Sequence, residues 1–179
     1  MFKPIIPGQL VSVDAVRGRD LVPSAKNLLQ TKRRNDGFST WDASGIFFEL
    51  DGKRRETGDQ PSAQTLVLLY AADLRFRLRW EIQPALAAGQ TVVAAPYVET
   101  AVAFGLASGL ARKWLSELFR FAPRAAVGYW VDGNPPASPS PHSGFLEFSR
   151  HALPNDFFDQ FTAHFAALEE RGKLRRFDL

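Results

Sequence analysis

The chain has 179 residues, 45% of them hydrophobic and 23% charged, with a formal charge of +3 and no cysteine. One domain with a sizeable core is the expectation at that length. No run of about 18 apolar residues could span a membrane, and disulfides, thiolate metal sites and cysteine nucleophiles are excluded.

The opening MFKPIIPGQL is interrupted by Pro4 and Pro7 and does not form a signal-peptide core, so a cytoplasmic location is the default. The charge is too small to demand nucleic acid. The clusters at Lys32-Arg33-Arg34, Lys53-Arg54-Arg55, Arg75/Arg77/Arg79 and Arg171 to Arg176 read as solvated helix ends and faces, and no nucleic-acid partner is expected.

In chain order, residues 9–14 form a short β-like run, followed by a turn at Arg17-Gly18-Arg19. Pro23 can open a helix, because the first turn does not need its missing N–H. Phe38 to Trp41 reads as a second strand, and residues 44–56 fit strand or helix equally. Pro61 opens a long amphipathic helix in which Leu66, Tyr70, Leu74, Leu78, Ile82 and Leu86 recur every four residues. Within it, Leu74 to Trp80 also alternates with period two, but the longer helical stripe outweighs that local pattern.

Gly89 ends this helix, and Thr91 to Ala95 is a buried strand. Val98–Ser108 and Leu110–Phe121 are two helices joined near Gly109, and Ala125–Val131 is an apolar strand. Residues 134–144 (NPPASPSPHSG) are too rich in proline and serine for regular structure. A last helix starts at Pro154-Asn155 and carries Phe157, Phe158, Phe161, Phe165 and Leu168 on one stripe, before a closing strand at 174–179. Alternation of strand and helix predicts one three-layer α/β domain over 1–179, with a mainly parallel five-stranded sheet and helices on both faces.

Several motifs in order resemble the thymidylate kinase family: Leu68-Leu69-Tyr70-Ala71-Ala72-Asp73, then Ile82-Gln-Pro84-Ala85-Leu86 with Gly89, then Tyr97, then Trp114-Leu115 with Leu118. The likeness is good over about residues 9–134 and weak over 154–179. It implies a P-loop nucleoside monophosphate kinase fold and pairing as a homodimer, or a heterodimer with an active relative, through helices that include the one at 61–88.

The motifs that would handle phosphate are degenerate. A P-loop needs glycines for backbone N–H contacts, a lysine for phosphate charge and a hydroxyl for magnesium. The family pattern EGxDGxGKST falls on Asp14 to Pro23, where Gly18 stays, Leu21 replaces the lysine, and Val22 and Pro23 replace the hydroxyl pair. The family's DRY motif falls on Ala95-Pro96-Tyr97, its TREPGGT turn has Trp41 in the arginine's place, and Leu74 follows the AAD of the helix motif instead of arginine. The stretch 134–144 stands in place of an arginine-rich lid, and no terminal helix follows the last strand. Phosphoryl transfer relies on positioning and charge stabilisation, so no catalytic residue is assigned and neither ATP nor magnesium is an expected cofactor.

The resemblance therefore implies a catalytically inactive pseudokinase that acts as an interaction, scaffolding or regulatory domain. The alternative is a protein that binds a nucleotide or small anion, or has altered chemistry, in the remnant cleft. For that reading the candidate residues are Arg17, Gly18, Arg19, Tyr70, Arg75, Arg77 and Tyr97. Tyr70 stands where the family stacks an aromatic ring on thymine, but it equally fits the core stripe between Leu66 and Leu74. Asp14 and Asp132 close strands and read as turn or cap residues. His142, His151 and His164 have no spacing that suggests a metal or a triad.

Overall fold

The computed structural model describes residues 8–15, 38–41, 56–59, 61–131 and 157–176. Strands β1 (Leu10–Ala15), β2 (Phe38–Trp41), β3 (Thr91–Ala94), β4 (Val127–Val131) and β5 (Arg175–Arg176) form one sheet in the order β2-β3-β1-β4-β5. Every neighbouring pair is parallel. In the register Val11 stands between Val93 and Val127, and Ser12 between Ala94 and Gly128. All described residues of β3 and β4 are buried, as are Leu10 to Asp14 of β1. Burial on both faces explains why β3 and β4 read as nearly continuous apolar runs, while β1 buries Ser12 and Asp14 as well.

After β2 the chain enters α1 (Ala63–Arg77), a π-helical turn (Leu78–Ile82) and α2 (Gln83–Ala87), which together form the long helix expected at 61–88. The helix begins two residues later than expected, at Ala63. Ser62, and not Pro61, is the cap, its Oγ accepting the Thr65 N–H at 3.1 Å. Leu66, Tyr70, Leu74, Leu78 and Ile82 are all buried, as the four-residue spacing predicts.

The π turn has a local cause. Pro84 has no N–H to give to the carbonyl four residues back, and its ring crowds that carbonyl. The ladder widens ahead of it, and the Gln83 N–H bonds the Leu78 carbonyl five residues earlier.

Helix α3 (Val98–Ala107) follows β3, α4 (Arg112–Leu118) follows the turn at Gly109, and α5 (Phe157–Glu170) precedes β5. Helix α4 is shorter at both ends than the expected 110–121. Helix α3 is the middle helix of its layer and touches both α1 and α5. Of the stripe expected on α5, Phe157, Phe161, Phe165 and Leu168 are buried, the Phe158 side chain lies outside the described ones, and Phe165 is stacked on Trp130 of β4 at 5.6 Å.

The order of strands assigns the layers. From β2 onward each connection steps the same way across the sheet, so right-handed crossovers put α1, α3, α4 and α5 on one face. Only β1 to β2 steps the other way, and that connection lies outside the described residues. So do the Arg17-Gly18-Arg19 turn, the helix expected from Pro23, the 134–144 stretch and residues 177–179. No helix among the described residues is long and apolar enough to cross a membrane.

Candidate functional site

In parallel α/β sheets the loops at the carboxyl ends of the strands are where ligands bind. Here that edge is held by Asp14 near the end of β1, the segment 95–100 after β3, and Tyr70 on α1. Asp14 is fully buried. Its Oδ1 accepts three hydrogen bonds, from the Tyr97 N–H at 2.9 Å, the Thr100 N–H at 3.0 Å and the Thr100 hydroxyl at 2.7 Å.

Tyr97 is the N-cap of α3, but its side chain caps nothing. Asp14 therefore does the capping from a different element, in the position where a negative group meets the positive end of the helix dipole. This agrees with the cap role read from the sequence, although the helix capped lies more than 80 residues away.

The cost is desolvation. Burial raises the Asp14 carboxyl to about 7, opposed by the Thr100 hydroxyl and reinforced by the nearby Glu99 charge. Its other oxygen, Oδ2, is buried without a hydrogen-bond partner among the described residues. Glu99 in turn contacts His164 of α5, Nε2 to Oε2 at 3.2 Å, which places that histidine in a satisfied, structural contact.

The two candidate tyrosines come together. The Tyr70 hydroxyl donates to the Tyr97 carbonyl at 2.8 Å, and the Tyr97 hydroxyl donates to the Pro123 carbonyl at 2.8 Å. Tyr70 is 0% exposed, with Phe119 against it edge-on at 6.2 Å. It sits in the core stripe, and neither face of its ring is open for stacking. Ala95, Pro96 and Leu74, which stand at the degenerate motif positions, are likewise buried.

Arg75 and Arg77 do not converge. Residues two apart on a helix point to nearly opposite sides. Arg77 lies between Asp73, at 3.8 Å, and Glu81, and forms ion pairs with both. Arg75 lies over the ring of Phe121, 5.2 Å from its centroid. Arg17, Gly18, Arg19 and Asp132 lie outside the described residues. Sequence reasoning missed Thr100, whose signal is only that it stands three residues into a helix whose cap residue has no short polar side chain.

Comparison with known proteins follows these features. The sequence is 33% identical over 75 residues to a probable thymidylate kinase of Pyrococcus abyssi, covering 42% of this chain. The match spans 37% of that protein's length. The backbone matches the crystal structure of thymidylate kinase from Ehrlichia chaffeensis with a TM-score of 0.63, over 94% of this chain and 84% of that one. Identity there is 11%, so this is a likeness of fold. No family model matches the chain. The all-parallel sheet and these two likenesses make the chain a thymidylate-kinase-like protein, distant in sequence from the proteins it resembles.

Proposed function

We propose that this thymidylate-kinase-like chain does not transfer phosphate and acts through protein interaction, as a scaffold or regulator. The observation that carries this reading is the state of the carboxyl edge of the sheet. Tyr70, Tyr97, Asp14 and Thr100 bond one another and the backbone there, and the motif positions beside them hold Leu74, Ala95 and Pro96.

Magnesium-ATP is the nucleotide that the fold family implies, and this reading does without it. It is supported by Leu74, Ala95 and Pro96, which carry no charge where the family pattern has charged side chains. Asp20, Leu21 and Pro23 in the first loop add to this at the level of sequence.

The partner surface in this reading is the outer side of the long helix. Leu68, Phe76 and Trp80 are 46%, 58% and 62% exposed, and Phe76 and Trp80 lie against each other at 6.4 Å. With Ala72, also exposed, they repeat every four residues, as a helix-pairing stripe does. A second copy of the chain is the proposed occupant, and a related active protein is the alternative.

The test is a calorimetric titration with thymidine monophosphate and, separately, magnesium-ATP, on the native chain and on the Leu21→Lys, Val22→Ser double variant. The expected result is no heat of binding for magnesium-ATP with either protein and no thymidylate phosphorylation by the variant. Tight magnesium-ATP binding by the native chain would overturn the proposal.

A second reading rests on Asp14 Oδ2, a buried acceptor without a partner among the described residues, at the edge where such folds bind ligands. It treats the cleft as a small-molecule site. A metabolite that raises the melting temperature of the native chain but not of Asp14→Asn supports it.

A further inference from the structure

A cavity of about 410 Å³ lies beside the long helix, lined by Arg75, Leu78, Arg79, Gln83 and Phe121. Among the described residues its lining holds none of the Asp14 network, although Phe121 lies beside Phe119, which packs on Tyr70. Gln83 lies 13 residues beyond Tyr70, or roughly 20 Å along a helix at 1.5 Å per residue, towards the end where the chain turns into β3.

The three arginines of the LRFRLRW stretch have different fates. Were the stretch a strand, Arg75, Arg77 and Arg79 would share one face. As a helix it separates Arg77, and both neighbouring carboxylates, Asp73 and Glu81, pair with Arg77. Arg75 and Arg79 are left on successive turns at the mouth of one cavity. Among the described residues neither has a carboxylate in ion-pair reach, and their partners are rings. Arg75 lies over Phe121 at 5.2 Å, and Arg79 over Trp80 at 5.5 Å.

The remaining lining supplies an apolar floor in Leu78, which is buried, and an amide in Gln83 that can both donate and accept. Leu78 and Arg79 belong to the π turn, a local widening that recurs at functional sites. The volume lies within the range of small-molecule clefts.

We propose that this cavity binds a small phosphate monoester carrying a flat ring, outside the cleft that the fold family would use. Two guanidiniums one turn apart form a fork for a dianion, since each offers paired N–H donors to phosphate oxygens. The ring of the ligand takes the face of Phe121 that Arg75 covers at 5.2 Å, beside Leu78, as the guanidinium turns to the phosphate. Gln83 reads a polar atom on the ring. The site is open to solvent on the phosphate side, so binding weakens as salt rises.

The proposal is tested by titrating the full chain at low salt with phenyl phosphate and, separately, with inorganic phosphate, following backbone amide shifts. Resonances of residues 75–83 and Phe121 move together, and phenyl phosphate binds at least about tenfold more tightly than inorganic phosphate, in line with the worth of one ring contact. Arg79→Ala, at an exposed position that leaves the fold intact, weakens phenyl phosphate at least about tenfold. Arg171→Ala, which removes the same charge from the end of α5, leaves it within about twofold. Three results overturn the proposal: no movement in residues 75–83 at millimolar phenyl phosphate, equal affinity for the two probes, or equal weakening by the two variants. An unchanged melting temperature for Arg79→Ala assigns its effect to the site.

Discussion

Asp14 serves three donors with one oxygen while the other, Oδ2, has none among the described residues, and the side chain is fully buried. Its carboxyl rises from 3.8 to about 7, mainly through burial. The folded state then binds a proton more readily than the unfolded one, so the stability this residue contributes is fully present below about pH 4 and is lost as pH rises through about 7. Asp14→Asn keeps the Oδ1 acceptor and cannot ionise. Its melting temperature should vary less than that of the native chain between pH 5 and 8, and identical profiles would refute the raised value. Asp14→Ala removes the cap and strands buried N–H groups, at a cost of about 2 kcal/mol or more by denaturant unfolding. Tyr70→Phe removes the buried hydroxyl that donates to the Tyr97 carbonyl and should cost about 1 kcal/mol in the same assay. Little of this network was legible beforehand. Asp14 and Thr100 are joined across 86 residues, and no local spacing carries such a pairing. The core role of Tyr70, by contrast, followed from its neighbours Leu66 and Leu74.

At the scale of elements, the long helix illustrates what a repeat encodes. A strict period of four advances the stripe by about 40° per step on a helix of 3.6 residues per turn. Leu66 to Leu78 drift through three such steps while still buried, and a further step in the same sense would carry Ile82 towards the edge of the core. The π turn over Leu78–Ile82 takes up the excess, and both of its ends stay buried. The four-residue spacing and Pro84 were visible in the sequence, so the device could have been read there, whereas helical periodicity alone suggested a regular helix. Ser62→Ala tests the start of the same element. It removes the one side-chain bond to the Thr65 N–H and should cost about 1 kcal/mol in unfolding free energy. Strands β3 and β4 were legible because burial on both faces makes them almost wholly apolar, whereas β1 carries Ser12 and Asp14 buried among apolar residues. The ends of α4 were not. Phe119 is buried just past the last helical residue, so an apolar pattern continues where helical hydrogen bonding stops.

For the whole molecule, the order β2-β3-β1-β4-β5 puts the described helices on one face and leaves the outer side of the long helix uncovered. If a second copy covers it, light scattering gives twice the chain mass, and Trp80→Glu returns the monomer because it places a charge in an apolar contact. A monomeric native chain that co-purifies with no relative would remove the proposed surface. The sequence motifs carried the family resemblance through helix and sheet positions, which packing preserves, and the degenerate loops carried the expectation of lost chemistry. The central claim concerns turnover, and a direct assay reaches it. The purified chain is incubated with magnesium-ATP and thymidine monophosphate, and ADP and thymidine diphosphate are followed by phosphorus NMR. The account predicts no thymidine diphosphate above the enzyme-free control. Stoichiometric appearance of both diphosphates, from a preparation free of other kinases, would contradict it.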